Sequence, residues 1–556
     1  MLKRLCIRHV AIVALFCGSL LAATDSRANS LSVGLNGISD WSTQHPFLDL
    51  MKTARPWIGH LSGQWGGVSF EDLMERGALN AQGWPVTVPA EVAALESLVL
   101  TDQPEEAAHL RGQYHVFFDG RGRFELTGRA RVIRREDGHH VFDYTPGSGA
   151  VGLKIAATEA SDPIRNIRII KDEHLEMFEA GAVFNPVWLQ RLEGFDTLRF
   201  MDWMMTNNSA IRFWKDMPAA TDFSYAWRGV PVSKMIGLAN ELDVDPWFNI
   251  PHLADDAMVD RFAREVGAQL EPGRVAHVEY SNEVWNFIFD QARWAQEQAE
   301  ARWGDLGDGW MQFYGQRAAQ VMDIWSGAFG TSSEGRLTRV VAVHTGWPGL
   351  EEGILRGEQV REALGRDPME SFDAYAVSGY FGHEFSDPTA SNALLDRDEE
   401  RVREAGVAKG LSRVALREYV RENRYTDVFT EAAQVVREGS LKTLTAETWP
   451  YHAEVARANS LELLMYEGGT HAAANWDAVE DERLVEFLTA FSYSPEIGAL
   501  YTDLLTAWSE VGGTSFNVFV DVAPSSQWGS WGALRHLDDD NPRWDALQRH
   551  MTGSED

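Results

Sequence analysis

Val275-Ala-His-Val-Glu-Tyr-Ser-Asn-Glu-Val-Trp-Asn286 is a short apolar run that stops on Asn282-Glu283. A second run, Leu461-Glu-Leu-Leu-Met-Tyr-Glu-Gly468, stops on Glu467. Both read as buried strands carrying a carboxylate at the C-terminal end. Comparable β-branched or apolar runs occur at Thr197–Trp203, Val244–Ile250, Thr338–Val343, Asp373–Ser378 and Ser515–Val520. Amphipathic stretches such as Val232–Leu242 and Met258–Leu270 separate them. Strands alternating with helical patterns signal βαβ units and a parallel sheet. With Leu31–Ile38 as the eighth strand the expected fold is α/β, a closed (β/α)₈ barrel. All strand ends then open onto one face, where such barrels place their chemistry.

The gap between Ile38 and Thr197 is too long for one βα loop. Its composition differs as well. Gln113 to Thr127 reads as two alternating strands around a Gly-containing turn, and Arg129–Arg134, His140–Tyr144 and Val151–Ala156 continue the pattern. Residues 56–178 are therefore expected to form a β-rich insertion or small sandwich. Residues 29–55 would hold the first barrel strand and residues 179–556 the rest of the barrel. A separate β-domain preceding the barrel is the alternative. The charged, helical stretch from Gly379 to Leu461 suits either a lid or a solvated decoration.

Residues 1–28 read as a secretory signal, with basic Lys3, Arg4 and Arg8, an apolar segment from Val10 to Ala23, and a Ser26-Arg27-Ala28 cleavage site. A secreted or periplasmic protein beginning at Asn29 is expected, without membrane insertion after cleavage, and acting as a monomer. Cys6 and Cys17 are the only cysteines and both fall in that segment, so the remaining chain has no disulfide, thiolate metal site or cysteine nucleophile. The formal net charge of −32 makes nucleic acid a poor partner, because phosphate binding needs clustered Lys and Arg. The 21 Trp residues fit a ligand with apolar ring faces as well as a large core.

Polar or aromatic residues recur where the strands end. Arg199, Asp202 and Trp203 lie in or after the second, His252 after the third and Asn282-Glu283 after the fourth. His344 follows the fifth, Tyr380 the sixth, Glu467 the seventh, and Trp528 and Trp531 the eighth. Two carboxyl groups facing one pocket can split the work of glycoside hydrolysis, one protonating the leaving oxygen and the other attacking the sugar carbon. The order and spacing resemble the clan A retaining glycoside hydrolases, the cellulase-like (β/α)₈ superfamily. That resemblance implies Glu283 as acid/base and Glu467 as nucleophile. It also implies substrate-site counterparts in Arg199, His252, Tyr380 and Trp528 or Trp531. Asn282 is suited to donate to the sugar 2-hydroxyl, and His344, Asp202 and Trp203 join the expected substrate-binding set. The expected substrate is a polysaccharide or oligosaccharide, β-linked and neutral in view of the acidic surface; no cofactor and no metal are called for.

Two other readings remain open on sequence. A metal-dependent hydrolase on the same barrel could use His252, Asp255, Asp256, His344, His383 and His471, although the first strand has no His-x-His pair and no HExxH occurs. A carbohydrate-binding protein on an inactive scaffold would not need both Glu283 and Glu467.

Overall fold

The computed structural model describes residues 30–425 and 427–554. The segment read as a secretory signal, with both cysteines, lies outside the described residues. Eight parallel strands close into a barrel: β1 (Ser30–Gly34), β2 (Thr197–Arg199), β3 (Asp245–Ile250), β4 (Ala276–Tyr280), β5 (Leu337–Ala342), β6 (Ala374–Phe381), β7 (Glu462–Thr470) and β8 (Ser515–Phe519). Each strand pairs with its sequence neighbour and β1 closes the ring against β8, with Ser30 opposite Ser515 and Gly34 opposite Phe519. All eight expected strands are present, so the fold is the (β/α)₈ barrel. β1 and β2 end earlier than expected, at Gly34 and Arg199.

Alternation inside the strands explains why the sheet is buried on both sides. Leu31 and Val33, Phe248 and Ile250, Val278 and Tyr280, and Phe516 and Val518 belong to one large apolar core and are all at most 1% exposed. The intervening positions, among them Asn249, Glu279 and Asn517, are equally buried but polar. Side chains alternate across a strand, so these point to the opposite face, the barrel axis.

Between β1 and β2 the chain builds two antiparallel sheets. Five strands (Gly67–Val68, Ile58–Leu61, Val92–Val99, Val151–Thr158 and Gly122–Gly128, in spatial order) face four (Arg165–Lys171, Gly112–Asp119, His139–Tyr144 and Arg131–Glu136). Leu95, Leu153 and Ile155 of one sheet share a core with Val116, Phe142 and Ile169 of the other, which makes a small sandwich. The strands on either side of the Gly120 turn do not pair with each other; they belong to different sheets. Gly120 has φ 90°, and a Cβ there would sit 2.1 Å from the carbonyl oxygen of Pro163, so only glycine permits this crossing.

Helices Pro388–Ala408, Arg413–Asn423 and Val428–Val436 fill much of the long β6–β7 connection. Tyr425 and Phe429 pack against Phe487 and Phe491 of helix Glu482–Phe491, which seats this segment on the outer helical layer. No described helix is long and apolar enough to cross a membrane.

Candidate active site

β4 ends in a sharp backbone turn. Ser281 (φ 63°) and Glu283 (φ 42°) both adopt left-handed conformations, which cost energy for residues other than glycine and persist only where the surroundings fix them. Here they are fixed. The Ser281 carbonyl accepts from Asn249 Nδ2 at 2.9 Å, the Ser281 N–H donates to Ile250 O at 2.8 Å, and the Asn282 carbonyl accepts from Gln291 Nε2 at 2.8 Å. The turn presents Asn282 and Glu283 successively to the same space.

β7 delivers its carboxylate by a different device. Its pairing with β6 steps from Val377↔Met465 to Ser378↔Glu467, so Tyr466 is an extra, bulged residue. Neighbouring strand residues ordinarily face opposite sides, and a bulge re-aims them. Tyr466 and Glu467 consequently reach one site: the Tyr466 hydroxyl donates to Glu283 Oε1 at 3.3 Å, and Glu467 receives Arg199.

Arg199, at the end of β2, is 1% exposed and organises the centre. Nη1 donates to Glu467 Oε1 at 2.8 Å, while Nη2 donates to Asn282 Oδ1 at 2.8 Å and to Glu279 Oε2 at 2.9 Å. Its guanidinium lies between the rings of Trp247 and Tyr466, 5.5 and 5.6 Å from their centroids. The other oxygen of Glu467 accepts from the Tyr380 hydroxyl at 2.9 Å. Both oxygens of Glu467 thus carry a donor.

Glu283 sits in the opposite electrostatic situation. Burial and the nearby charge of Glu467 raise its pKa to about 7, against weaker opposing effects of Asn286 and Tyr466. Asn286 Nδ2 donates to Glu283 Oε2 at 3.0 Å. One carboxyl is therefore supplied with donors while the other is poised to hold a proton near neutrality. Asp202 adds another carboxyl; burial, then the charge of Glu467, raises it to about 7. Asp521 of the β8 loop is raised to about 6 by burial; it accepts from the Asn36 N–H and from Trp188 Nε1, tying β8 to the loop after β1.

Four expected residues thus meet at Glu467 and Glu283: Arg199, Asn282, Tyr380 and, electrostatically, Asp202. Trp531 joins them through its ring, which packs edge-on to Tyr380 at 6.1 Å. Trp528 stands farther out, half exposed, with its ring 5.2 Å from that of the exposed Trp476. His344 is exposed and lies edge-on to Trp285, which in turn packs on Tyr466. His252 is buried against Trp294; its ring Nδ1 finds no hydrogen-bond partner among the described residues, and burial lowers its pKa to about 4. Among the described residues its ring makes no hydrogen bond to either carboxylate.

Trp203 is a correction. Because β2 stops at Arg199, the chain folds back, and the Trp203 ring is fully buried, stacked on Trp188 with its N–H donated to the Asn36 carbonyl at 3.1 Å. It offers no face to a ligand.

Glu279, Asn249 and Tyr466 were not singled out by the sequence. Glu279 Oε2 alone accepts from Arg199, from Trp247 Nε1 at 3.0 Å and from Asn249 Nδ2 at 2.8 Å. The signal was present: Glu279 is the one charged residue inside the β4 run, and Tyr466 directly precedes Glu467.

No family model and no curated protein matches this sequence. Among solved structures, the chain is similar to fungal β-1,4-galactanases (11% identity, 67% of this chain and 96% of that one, TM-score 0.32). It is also similar to a broad-specificity endoglucanase from Bacteroides salanitronis (12%, 66% and 86%, TM-score 0.32). A third is a β-glucuronidase from Bacteroides uniformis (10%, 83% and 48%, TM-score 0.30), of whose length this chain spans about half. Likenesses this distant carry no argument about activity, which rests on the site.

Proposed function

We propose that this protein is a retaining glycoside hydrolase that cleaves a β-linked polysaccharide or oligosaccharide. The observation that carries the reading is the opposed treatment of two carboxyls in one site. Glu467 is gripped at both oxygens by Arg199 and Tyr380, and Glu283 is held protonatable at about 7 by burial and by Glu467 itself.

In the first step a Glu467 oxygen attacks the anomeric carbon. The bond to the leaving oxygen breaks, and that oxygen takes the proton from Glu283. Esterification removes the charge of Glu467, so one of the two influences that kept Glu283 protonated disappears, and the new carboxylate can accept a proton from water. The water oxygen then attacks the same carbon and releases Glu467. Asn282, whose Oδ1 is fixed by Arg199 and whose Nδ2 donates to Asn207 at 3.1 Å, stands beside Glu283 where a sugar hydroxyl can exchange for Asn207. Trp531 beside Tyr380 supplies an apolar floor, and the exposed Trp476–Trp528 pair offers a further ring surface. A neutral glycan suits the acidic chain, and the leading segment suits export with cleavage after Ala28.

The metal-dependent alternative finds little support: among the described residues no three His, Asp or Glu side chains come together as a metal site, and three of its six residues are engaged elsewhere. Asp255 caps helix Asp256–Gln269, Asp256 pairs with Arg317 at 2.7 Å, and His471 packs on Trp531.

The test is to incubate the purified protein with a panel of β-linked polysaccharides and follow the first product anomer by NMR. Retention of configuration is expected, with activity unaffected by a chelator. An inverted first product would overturn the mechanism, and no hydrolysis of any glycan would overturn the activity.

A further inference from the structure

A pocket of about 380 Å³ opens between the β-sandwich and the barrel, sharing no lining residue with the carboxylate site. Its size lies in the range of small-ligand pockets. Its walls include the rings of Phe47, Trp84, Phe178 and Tyr225, and three cations line it: Lys52, Arg168 and Lys234. They come from three separate parts of the chain: the segment after β1, strand Arg165–Lys171 and helix Val232–Leu242.

None of these cations has a direct ionic partner: among the described residues none of the three has an ion pair within 4.0 Å, in a chain whose formal net charge is −32. Lys52 Nζ donates only to backbone carbonyls, of Asp222 at 2.7 Å and Ala220 at 3.4 Å. The Arg168 guanidinium has the Phe117 ring 5.8 Å away and the longer-range charge of Asp49, and its buried Nε has no hydrogen-bond partner among the described residues. Asp49 acts on Lys52 and Arg168 at longer range, while the hydrogen bonds of the pocket's carboxylates go elsewhere. Asp49 accepts from the N–H groups of Met51 and Ile169, and Asp119 accepts from Asn166 Nδ2. Nearby Asp222 is held by two bonds from Arg228. A buried donor without a partner costs free energy, and an arginine fork is matched by a planar carboxylate.

We propose that this pocket is a second saccharide site that takes a sugar bearing a carboxylate, with Arg168 and Lys234 holding the anion and the aromatic wall holding the ring. The choice of a sugar over other carboxylates rests on the glycosidase reading; the anionic character rests on the cations alone. Such a site would anchor an acidic branch of a substrate whose neutral backbone is cut at Glu467.

Isothermal titration of the whole protein at low ionic strength tests this, with D-glucuronate, D-glucose and sodium sulfate as probes. Saturable glucuronate binding is expected, tighter than sulfate and weakening with salt, with none for glucose. The double variant Arg168→Gln/Lys234→Gln should bind glucuronate about tenfold more weakly or worse. Lys234→Gln alone, at a half-exposed helix position that leaves folding intact, should weaken it in the same direction. Absence of saturable binding, equal affinity for sulfate, or unchanged binding by the double variant would each overturn the proposal. Hydrolysis of a neutral glycan by the double variant should match wild type. A wild-type protein that binds glucuronate yet hydrolyses nothing would sink the glycosidase reading and leave the anion site standing.

Discussion

A single proton on Glu283 is the quantity through which pH should act on this site. With that carboxyl raised to about 7, the protonated form needed in the first step is lost as pH climbs through neutrality, so kcat/KM should fall above about pH 7. Glu467→Gln removes the neighbouring negative charge, making deprotonation of Glu283 easier; its titration, followed by carbon NMR, should move to lower pH. Burial, the larger cause, remains, so the return should be partial. An unmoved titration would show that the two carboxyls do not sense each other. Glu279 gives the second residue-scale prediction. Replacing it by leucine leaves the buried Arg199 fork and Asn249 without their shared acceptor, and breaking a buried ion pair from one side costs about 3–5 kcal/mol. Urea unfolding should show that loss for Glu279→Leu and a smaller one for Glu279→Gln, which keeps an acceptor oxygen. Equal stability of both variants and wild type would mean that the network contributes nothing. Glu283, Glu467, Arg199, Asn282 and Tyr380 were legible because each is a polar residue at the end of an apolar run. Glu279 and Asn249 were harder, since a polar residue in a strand interior acquires meaning only when closure turns its face toward the axis.

At the scale of elements, strand existence was legible and strand ends were not. Apolar runs fix which segments are buried, whereas the end of a strand is decided by where the chain must turn. β2 is the case in point: three residues of strand suffice to place Arg199, and the fold-back after it turns Trp203 from a presumed ligand contact into packing against Trp188. The β7 bulge was equally hidden, because nothing in Met465-Tyr466-Glu467 marks one residue as extra until β6 is laid beside it. β1 is the element whose loss should be most severe. It pairs with β2 on one side and β8 on the other, so deleting residues 1–55 opens the barrel and bares two edges at once. Such a truncation should give aggregated protein without a cooperative melt. A soluble, cooperative and active product would mean that the barrel closes without β1.

The molecule as a whole is two cores joined at one buried ring. Phe223 lies in the loop after β2, and the barrel therefore supplies it, yet its fully buried side chain belongs to the sandwich core, against Trp57, Phe70, Trp84 and Trp227. The backbone around it is stitched to the same place: the Phe223 N–H donates to the Gln82 carbonyl at 3.0 Å and the Tyr225 N–H to that of Lys52 at 2.8 Å. No sequence pattern announces such a residue, because a phenylalanine in a loop gives no sign of which core will take it. Two domains docked through a shared apolar cluster should unfold together, so one calorimetric transition is expected for the wild-type protein. Phe223→Ala removes a fully buried aromatic ring, a change that costs about 3–5 kcal/mol where the site cannot collapse. The loss falls on the sandwich and on its coupling to the barrel, while Arg199, Glu283 and Glu467 are untouched. The variant should therefore melt in two steps, the sandwich first, and keep wild-type turnover at temperatures below the first step. A single transition at the wild-type temperature would show that the docking does not depend on this ring.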